Sequence, residues 1–303
     1  MVDKIINTKT IKDSDVVILG ANYDRTSSFG KGSDKGPEAI IDCLDTQIEI
    51  YERYTRSEPA KELKIAYKSL GDLNELSPKS MISKLEKVYY YAKDRMKEDG
   101  LLITLGGEHS ITAGILRGLR NRFVRPVTVF QIDAHCDLRD SDADFNEKPW
   151  GAYAHCCVMR RAFDMGFDAV QVGIRAYSEE ESDFMVKNSD RILTWEWGGK
   201  NHIPSIESVV DSVLSEEVYL TLDVDGIDPA YMPATGTPVQ GGLQWDYTFE
   251  LISELFKRKK VIGADIVEVA PRKGDNLTQY GAAQLLYNII ANYMVNSKKD
   301  GGK

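Results

Sequence analysis

The chain has 303 residues, 42% of them hydrophobic, and a formal net charge of −9. This composition is typical of a folded protein, and the absence of a surplus of Lys and Arg argues against a nucleic-acid partner. No apolar run approaches the roughly 20 residues that span a bilayer, and the charged N-terminus has no apolar signal core, so we expect a cytoplasmic protein without a membrane partner.

Short β-type runs alternate with amphipathic helical patterns along the whole chain. In chain order, the predicted strands are residues 16–23, 63–70, 101–107, 127–135, 169–175, 191–195, 218–225 and 261–269. The helical patterns are residues 82–96, 111–121, 206–214, 246–256 and 282–294. Many of the strands are apolar on both faces, as in a parallel sheet that is covered by helices on both sides. We therefore predict an α/β fold, with a three-layer domain over residues 1–303 built on an eight-stranded parallel sheet.

The cysteines are Cys43, Cys136, Cys156 and Cys157, and none of them forms a C-x-x-C pair. The two adjacent cysteines cannot easily bond to each other. This spacing favours reduced thiols over a disulfide framework or a zinc ribbon.

The fourth predicted strand ends in an unusual sequence, QIDAHCDLRD, at residues 131–140. If the strand continues through it, Asp133, His135 and Asp137 point to one face, because side chains alternate along a strand. Two carboxylates and an imidazole this close repel one another and lose hydration unless something positive lies between them. The pattern predicts a divalent metal site. Cys136 alternates away from that face and is not counted as a ligand.

Three further strand ends and one loop carry acidic residues or histidines. Each has a simple structural explanation by itself, because a strand-end Asp is most often a cap or turn residue and a lone His is most often a half-buried structural residue. Their coincidence with the first motif favours one site, since ligands bind beyond the carboxyl ends of parallel strands. These candidates are His109 after the turn Gly106-Gly107, Asp223, Asp225, His155 and Glu268.

Four aspartates and two histidines are too many ligands for one tetrahedral zinc ion. They suit two metal ions that share bridging carboxylates, and an oxygen-rich set without thiolate favours Mn²⁺ over Zn²⁺. The sequence therefore predicts a pair of Mn²⁺ ions. The predicted ligands are His109, Asp133, His135, Asp137, Asp223 and Asp225.

Five motifs resemble the ureohydrolases, the family of arginases and agmatinases. In chain order they are GGEHS, DAHCD, AHCCVMRR, DVDGIDPAYMPATGTPVQGGL and DIVEVAP, between residues 106 and 271. The early segments SSFGKGSDKGPEAI and SLGDLN are similar as well, so the resemblance covers nearly the whole chain. It implies an α/β fold around an eight-stranded parallel sheet, two Mn²⁺ ions per subunit, and a homo-oligomer that is a trimer or a hexamer.

The resemblance also implies a role for each candidate residue. His109, Asp133, Asp137 and Asp223 would hold one Mn²⁺, and Asp133, His135, Asp223 and Asp225 the other, with Asp133 and Asp223 bridging. The implied reaction is attack of a metal-bridging hydroxide on a guanidinium carbon, a poor electrophile because resonance spreads its charge. Glu268 would pair with the guanidinium, Asp137 would pass a proton to the leaving nitrogen, and His155 would shuttle protons to solvent.

The motifs GTPVQGGL and AHCCVMRR look most like those of agmatinases, which turn agmatine into putrescine and urea in polyamine biosynthesis. Arginases use an Asn and a Ser to bind the substrate carboxylate, and Arg139 and Gly151 stand at those positions here. We therefore expect a small cationic guanidino substrate. Arg139 is a poor neighbour for an ammonium unless it is paired or points away, which leaves guanidinobutyrate as an alternative. Acids that could pair with Arg139 or bind the ammonium are Asp140, Asp142, Asp144 and Glu147.

Other functions stay open at this point. Enzymes for arginine or formiminoglutamate would differ mainly in the loops at residues 137–152 and 226–242. A single-zinc deacetylase shares the broad fold but would not need His109, Asp137 and Asp225 together. A non-catalytic binding protein would be favoured by the loss of a ligand, and the motifs lack none.

Overall fold

Eight strands form one parallel sheet in the computed structural model, which describes residues 4–122, 125–142, 150–199 and 203–300, with side chains as far as residue 297. Each strand corresponds to a predicted one. They are β1 (Val16–Asn22), β2 (Ile65–Asp72), β3 (Leu101–Gly106), β4 (Val127–Ile132), β5 (Asp168–Ile174), β6 (Ile192–Glu196), β7 (Glu217–Asp223) and β8 (Lys260–Val267). The predicted fold class is confirmed.

Helices cover both faces of this sheet. In the described part of the chain they are α1 (Gly36–Thr46), α2 (Pro59–Glu62), α3 (Pro78–Lys93), α4 (Ile111–Arg122), α5 (Val158–Asp164), α6 (Glu179–Lys187), α7 (Ile206–Asp211), α8 (Trp245–Arg258) and α9 (Leu277–Asp300). Helices α1, α7, α8 and α9 pack on one face, and α3, α4, α5 and α6 pack on the other. In β1, Val16 and Ile18 belong to the first core and Val17 and Leu19 to the second. Strands buried on both sides explain the continuous apolar runs of the sequence.

The order of the strands positions the site. It runs β2-β1-β3-β8-β7-β4-β5-β6, so β3, β8, β7 and β4 are neighbours at the centre although they are far apart along the chain. Because every pair is parallel, the carboxyl ends of these strands meet at one edge of the sheet. The residues that follow them are therefore brought together.

Several strands end earlier than the sequence predicts, among them the two that lead into the aspartate motifs. β4 ends at Ile132 instead of residue 135, and β7 ends at Asp223 instead of residue 225. In both places an Asp carboxylate accepts a hydrogen bond from the backbone N–H two residues later, Asp133 from His135 at 2.7 Å and Asp223 from Asp225 at 2.8 Å. Such a turn competes with the sheet ladder and directs the chain out of the sheet. The expected strand alternation is wrong here, and the aspartates converge through turns.

The cysteines are all free, and the sulfur atoms of the adjacent Cys156 and Cys157 lie 3.9 Å apart. This arrangement agrees with the prediction of reduced thiols, which stays a prediction. Among the described residues, no helix is long and apolar enough to cross a membrane.

Candidate metal centre

His109 lies in the tight turn between β3 and α4. A Cβ at Gly107 would collide with the carbonyl oxygen of Tyr23, so only glycine lets the two segments approach this closely. The backbone N–H of Glu108 donates to the same carbonyl at 2.9 Å. The turn directs the His109 side chain inward, where it is only 1% exposed.

The hydrogen bonds of His109 fix its tautomer. Its Nε2 lies 2.8 Å from the hydroxyl of Thr221, and that hydroxyl donates to the carboxylate of Asp265 at 2.6 Å. Since the single hydroxyl proton is used on Asp265, Thr221 accepts from Nε2–H of His109. The other nitrogen, Nδ1, therefore presents its lone pair, as a metal-binding histidine requires.

The lone pair of His109 Nδ1 points at three carboxylates. Their nearest oxygens lie 3.1 Å away on Asp133, 3.0 Å on Asp137 and 3.4 Å on Asp223. Nδ1 is buried and makes a well-oriented hydrogen bond with none of them. Burial lowers the pKa of His109, but the three carboxylates outweigh it and raise the pKa well above its usual range, so positive charge is favoured here. Carboxylates and an imidazole grouped in this way form the arrangement of a metal ligand set.

A second group of ligand atoms adjoins the first. His135 Nδ1 lies 3.1 Å from Asp225 Oδ2 and 3.6 Å from Asp133 Oδ1. One ligand atom from each of these residues lies within 4.8 Å of the others, and the same is true of His109, Asp133 and Asp223. Asp133 belongs to both groups, as a bridging ligand would. The structure thus brings all six predicted ligands together at the carboxyl ends of β3, β4 and β7.

The pKa values of the carboxyl groups in the cluster also indicate that positive charge would stabilise it. Burial, followed by the neighbouring carboxylates of Asp225 and Asp133, raises the pKa of Asp223 well above its usual range. Burial and Asp133 likewise raise the pKa of Asp137 to about 6. Carboxylates crowded in this way resist ionisation together unless a cation offsets them. The donor set of carboxylate oxygens and imidazole nitrogens fits two divalent ions such as Mn²⁺.

Thr221 and Asp265 were missed in the sequence analysis, although Asp265 begins the quoted motif DIVEVAP. Asp265 is fully buried and accepts hydroxyl hydrogen bonds from Tyr219, Thr221 and Thr112. A sequence signal existed, since a charged residue inside an apolar strand is rarely buried without partners.

Thr221→Val is expected to weaken Mn²⁺ binding by roughly 10- to 100-fold, because His109 loses the acceptor that fixes its ring and tautomer. Thr112→Val is the matched control, since it removes another hydroxyl from Asp265 without touching His109. Manganese titration of the two variants checks the expectation. Equal affinities would show that the hydroxyl of Thr221 does not support the metal ligand.

Asp137 and Glu268 share an unusual backbone conformation. Their φ angles are +51° and +64°, a region that residues other than glycine seldom adopt and that recurs at functional sites. The carbonyl oxygen of Asp137 accepts from the N–H groups of Met159 and Arg160 at the start of α5, at 3.0 and 3.1 Å. Glu268 Oε1 accepts from the backbone N–H of His109 at 2.8 Å. These contacts aim both carboxylates at the cluster.

His155 lies beside the cluster, at the start of a short 3₁₀ helix, His155–Cys157. Its Nδ1 is 3.3 Å from Glu268 Oε1, and its Nε2 is 3.1 Å from the hydroxyl of Ser28. Burial lowers the pKa of His155, but the contact with Glu268 outweighs it and raises the pKa to about 9. The sequence analysis placed His155 and Glu268 in one site but missed Ser28.

Asp142, His155 and Cys156 form a third group whose ligand atoms could approach one ion. The neighbouring Cys157 and burial raise the pKa of the Cys156 thiol. A thiol that is hard to deprotonate is a poor ligand, because the thiolate is the form that binds metal. We therefore do not assign Asp142, His155 and Cys156 as a metal site; the three residues line the cleft.

A cleft of about 510 Å³ opens above the cluster. Four of its lining residues, His135, Asp137, Asp223 and Asp225, belong to the candidate metal centre, so a bound molecule would lie directly on the ions. The full lining is Ser28, His135, Asp137, Arg139, Asp142, His155, Cys156, Ala176, Tyr177, Ser178, Glu181, Asp223, Asp225 and Thr237.

Arg139 is paired. Its Nε lies 3.6 Å from the carboxylate of Glu181, which is 4% exposed and also caps the N-terminus of α6 through Ser178. Of the four acids considered from the sequence, Asp140 pairs with Arg161 at 2.7 Å and Asp142 lines the cleft. Asp144 and Glu147 lie outside the described residues. At the other arginase position, a Cβ on Gly151 would collide with the hydroxyl of Ser141.

Arg175 holds the loop at residues 226–242 against the sheet, and no feature of the sequence marked it. Its guanidinium donates only to backbone carbonyls, those of Gly173, Asp225, Gly226, Val239 and Gln240, at 2.6–3.3 Å. In the same loop, the hydroxyl of Thr237 donates to Asp225 Oδ2 at 3.2 Å. The loop thereby supports a predicted metal ligand.

Known proteins are similar to this chain in sequence and in fold. The model of the arginase family matches residues 14–291. An agmatinase of Pyrococcus horikoshii is 34% identical, with 95% of each chain covered, and an N(1)-aminopropylagmatine ureohydrolase of Synechocystis is 31% identical over 95% of this chain and 92% of its own. The crystal structure of the agmatine ureohydrolase of Thermoplasma volcanium superposes with a TM-score of 0.82 at 31% identity, covering 99% of this chain and 97% of the other.

The protein is a ureohydrolase, an enzyme that hydrolyses guanidino C–N bonds. This class is defined by the eight-stranded parallel sheet, by the carboxylate–histidine cluster beyond its strand ends, and by these relatives. The chain belongs to the arginase family.

Proposed function

We propose that the protein is a binuclear manganese agmatinase that hydrolyses agmatine to putrescine and urea. The observation that carries this proposal is the convergence of the six predicted ligands from three strand ends beneath a cleft that also contains a paired Arg139. The names of the relatives, agmatinase and aminopropylagmatine ureohydrolase, support a cationic guanidino substrate.

The chain's own residues would orient the substrate and move its protons. Two bound Mn²⁺ ions would supply Lewis acidity and activate the attacking water. Glu268 would pair with the planar guanidinium through its carboxylate and place the guanidinium carbon over the cluster. Asp137 would take a proton from the attacking water and give it to the leaving nitrogen, so that the C–N bond breaks to an amine and urea. His155, beside Glu268, would exchange protons with solvent.

The charge of the cleft favours an ammonium tail. Glu181 offsets the charge of Arg139, so no net positive charge is left to bind a carboxylate tail. Asp142 adds a further carboxylate, only 3% exposed, to the lining. Guanidinobutyrate and arginine would bring a carboxylate to this end of the cleft and meet like charge.

Aminopropylagmatine is a second candidate, favoured by the size of the cleft. About 510 Å³ lies within the range of pockets that hold drug-sized ligands and leaves room beyond a small molecule such as agmatine. The extended tail of aminopropylagmatine carries further positive charge, which the carboxylate of Asp142 would also attract.

Urea release by the Mn²⁺-loaded protein is expected to be fastest with agmatine or aminopropylagmatine, and slower with guanidinobutyrate, arginine and formiminoglutamate. Asp142→Asn should lower kcat/KM for agmatine roughly tenfold, because the ammonium loses a charged partner, and leave guanidinobutyrate unaffected or improved. Asp140→Asn is the control, since that exposed carboxylate pairs with Arg161. Preference for guanidinobutyrate would mean that Arg139 binds an anionic tail.

We also propose a cytoplasmic location. Two further features of the proposed enzyme rest on the family resemblance: a trimeric or hexameric homo-oligomer and a role in polyamine biosynthesis. Metal analysis of the purified protein separates the rival functions. Two Mn²⁺ ions per chain support the proposal, one Zn²⁺ ion indicates a deacetylase-like enzyme, and no bound metal indicates a non-catalytic protein.

A further inference from the structure

We propose that Ser28 is a positioning residue of the reaction, whose hydroxyl orients the imidazole of His155 and connects it to solvent. This proposal rests on the proposed function. It adds a residue from the N-terminal segment at residues 24–30 to a site that is otherwise built from strand ends.

Both ring nitrogens of His155 make polar contacts, one with Glu268 and the other with Ser28. The carboxylate of Glu268 can only accept a hydrogen bond, so the Nδ1 atom that lies 3.3 Å from it carries a proton. In the neutral ring, Nε2 is then an acceptor, and the hydroxyl of Ser28 at 3.1 Å donates to it. When the ring is protonated, the hydroxyl accepts from Nε2–H instead. Ser28 therefore stabilises one orientation of His155 in both protonation states.

The segment that carries Ser28 is anchored to the rest of the fold. The fully buried carboxylate of Glu108 accepts from the backbone N–H of Thr26 at 2.7 Å and from the Thr26 hydroxyl, and the hydroxyl of Ser27 donates to Asp24. On the other side, Gly30 approaches Gly236 so closely that a Cβ would lie 2.7 Å from its carbonyl oxygen. The hydroxyl of Ser28 is held in place by contacts on both sides of it, which argues against a chance encounter of a loose loop.

Solvent exposure increases from His155 to Ser28. The side chain of His155 is 12% exposed, whereas Ser28 is exposed and lines the cleft. A proton that leaves Nε2 can pass to the hydroxyl oxygen while the hydroxyl proton moves on to water, which leaves Ser28 unchanged. The order carboxylate, imidazole and hydroxyl is that of a serine-hydrolase triad. Here, however, the proposed substrate lies at Glu268, so the hydroxyl is on the solvent side of the ring.

Ser28→Ala is the test, with Ser28→Thr as the conservative rescue and Phe29→Ala as the matched control. Phe29 is the next residue and is 81% exposed, so its replacement reports on disturbance of the segment alone. Loss of the hydroxyl is expected to lower kcat about tenfold with KM changed less than about twofold, because the substrate contact at Glu268 stays intact. Ser28→Thr should restore most of the activity.

The pH profile provides a readout that a merely structural role would not change. The charged and titratable groups facing His155 are Glu268, Glu108, Asp137, Asp142 and Cys156. None of these groups is altered in Ser28→Ala. A shift toward lower pH in the limb of the activity–pH profile that is assigned to His155 would therefore report loss of the hydrogen bond between its imidazolium and the Ser28 hydroxyl. Reduced kcat with an unmoved profile, or unchanged kcat, would overturn the proposal.

A measurement without substrate separates this proposal from the proposed function. The chain has four histidines, and their reaction with diethyl pyrocarbonate in the Mn²⁺-loaded protein can be followed by peptide mass spectrometry. Ser28→Ala should react severalfold faster at His155, whose Nε2 is uncovered, and Phe29→Ala should not. If wild type releases no urea from any guanidino compound, the proposed function fails, while equal labelling of His155 in Ser28→Ala and wild type rejects the contact itself.

Discussion

Replacing Asp133 by alanine is expected to release bound manganese and to reduce turnover at least about 1000-fold, because two metal ions supply several kcal/mol of transition-state stabilisation. Asp133 is the residue shared by the two groups of ligand atoms, and its Oδ2 lies 3.1 Å from His109 Nδ1. Removing it therefore affects both metal positions at once. Asp223→Ala should have a similar effect, because its carboxylate also faces His109 and shapes the turn to Asp225.

Metal content and urea release, measured together, check this expectation. Cys136→Ser is the control, since Cys136 is buried beside the site but belongs to neither ligand group, and it should change little. Near-full turnover in Asp223→Ala would refute the two-metal mechanism. Loss of activity with both metals retained would show that these aspartates act on the substrate rather than on the ions.

Glu268→Gln is expected to lower kcat/KM for agmatine by roughly 30- to 4000-fold, the equivalent of about 2–5 kcal/mol for removing one partner of a buried charge pair. The glutamine keeps the size of the side chain and can still accept from the backbone N–H of His109. It loses the negative charge, which lies beside His155 and would face the guanidinium. The positive φ of Glu268 makes this isosteric change safer than a β-branched one.

Metal content should be unchanged in Glu268→Gln, because this carboxylate is outside both ligand groups. Glu207→Gln, an exposed residue of α7, is the control for a change of charge alone. Steady-state kinetics with agmatine, followed by metal analysis, would decide the matter. A variant that keeps its kcat/KM would exclude Glu268 as the guanidinium partner, and one that loses manganese would identify it as a metal-supporting residue.

Helices were harder to predict than strands. The patterns at residues 111–121 and 246–256 match α4 and α8 closely, since each has a strong apolar face. Helices α1, α2, α5 and α6 were not among the stretches predicted. For α6, which is mostly polar, the capping box of Ser178 and Glu181 was a readable signal. Helix α5 has only seven residues, and its first turn is fixed by the distant carbonyl of Asp137.

The sequence by itself determined the eight strands, the parallel sheet and the set of candidate ligands. Strands that are apolar on both faces can be buried only between two layers of helices, so local composition is sufficient to predict the layers. Likewise, acidic residues and histidines directly after such strands are costly to bury unless they bind something, which made residues such as Asp133, His135 and Asp223 recognisable. The motifs then indicated the ureohydrolase family, which the comparisons show.

Only the tertiary structure decided how these residues meet. Strand order depends on pairing between distant segments, and it brings the ends of β3, β8, β7 and β4 side by side. The convergence of Asp133 and His135 arises from a turn at the strand end, where a carboxylate takes the next available backbone N–H in place of a strand partner. The pairing of Arg139 with Glu181 and the contact of His155 with Ser28 join residues 42 and 127 positions apart. Such contacts depend on the packing of whole elements, and no local pattern of side chains encodes them.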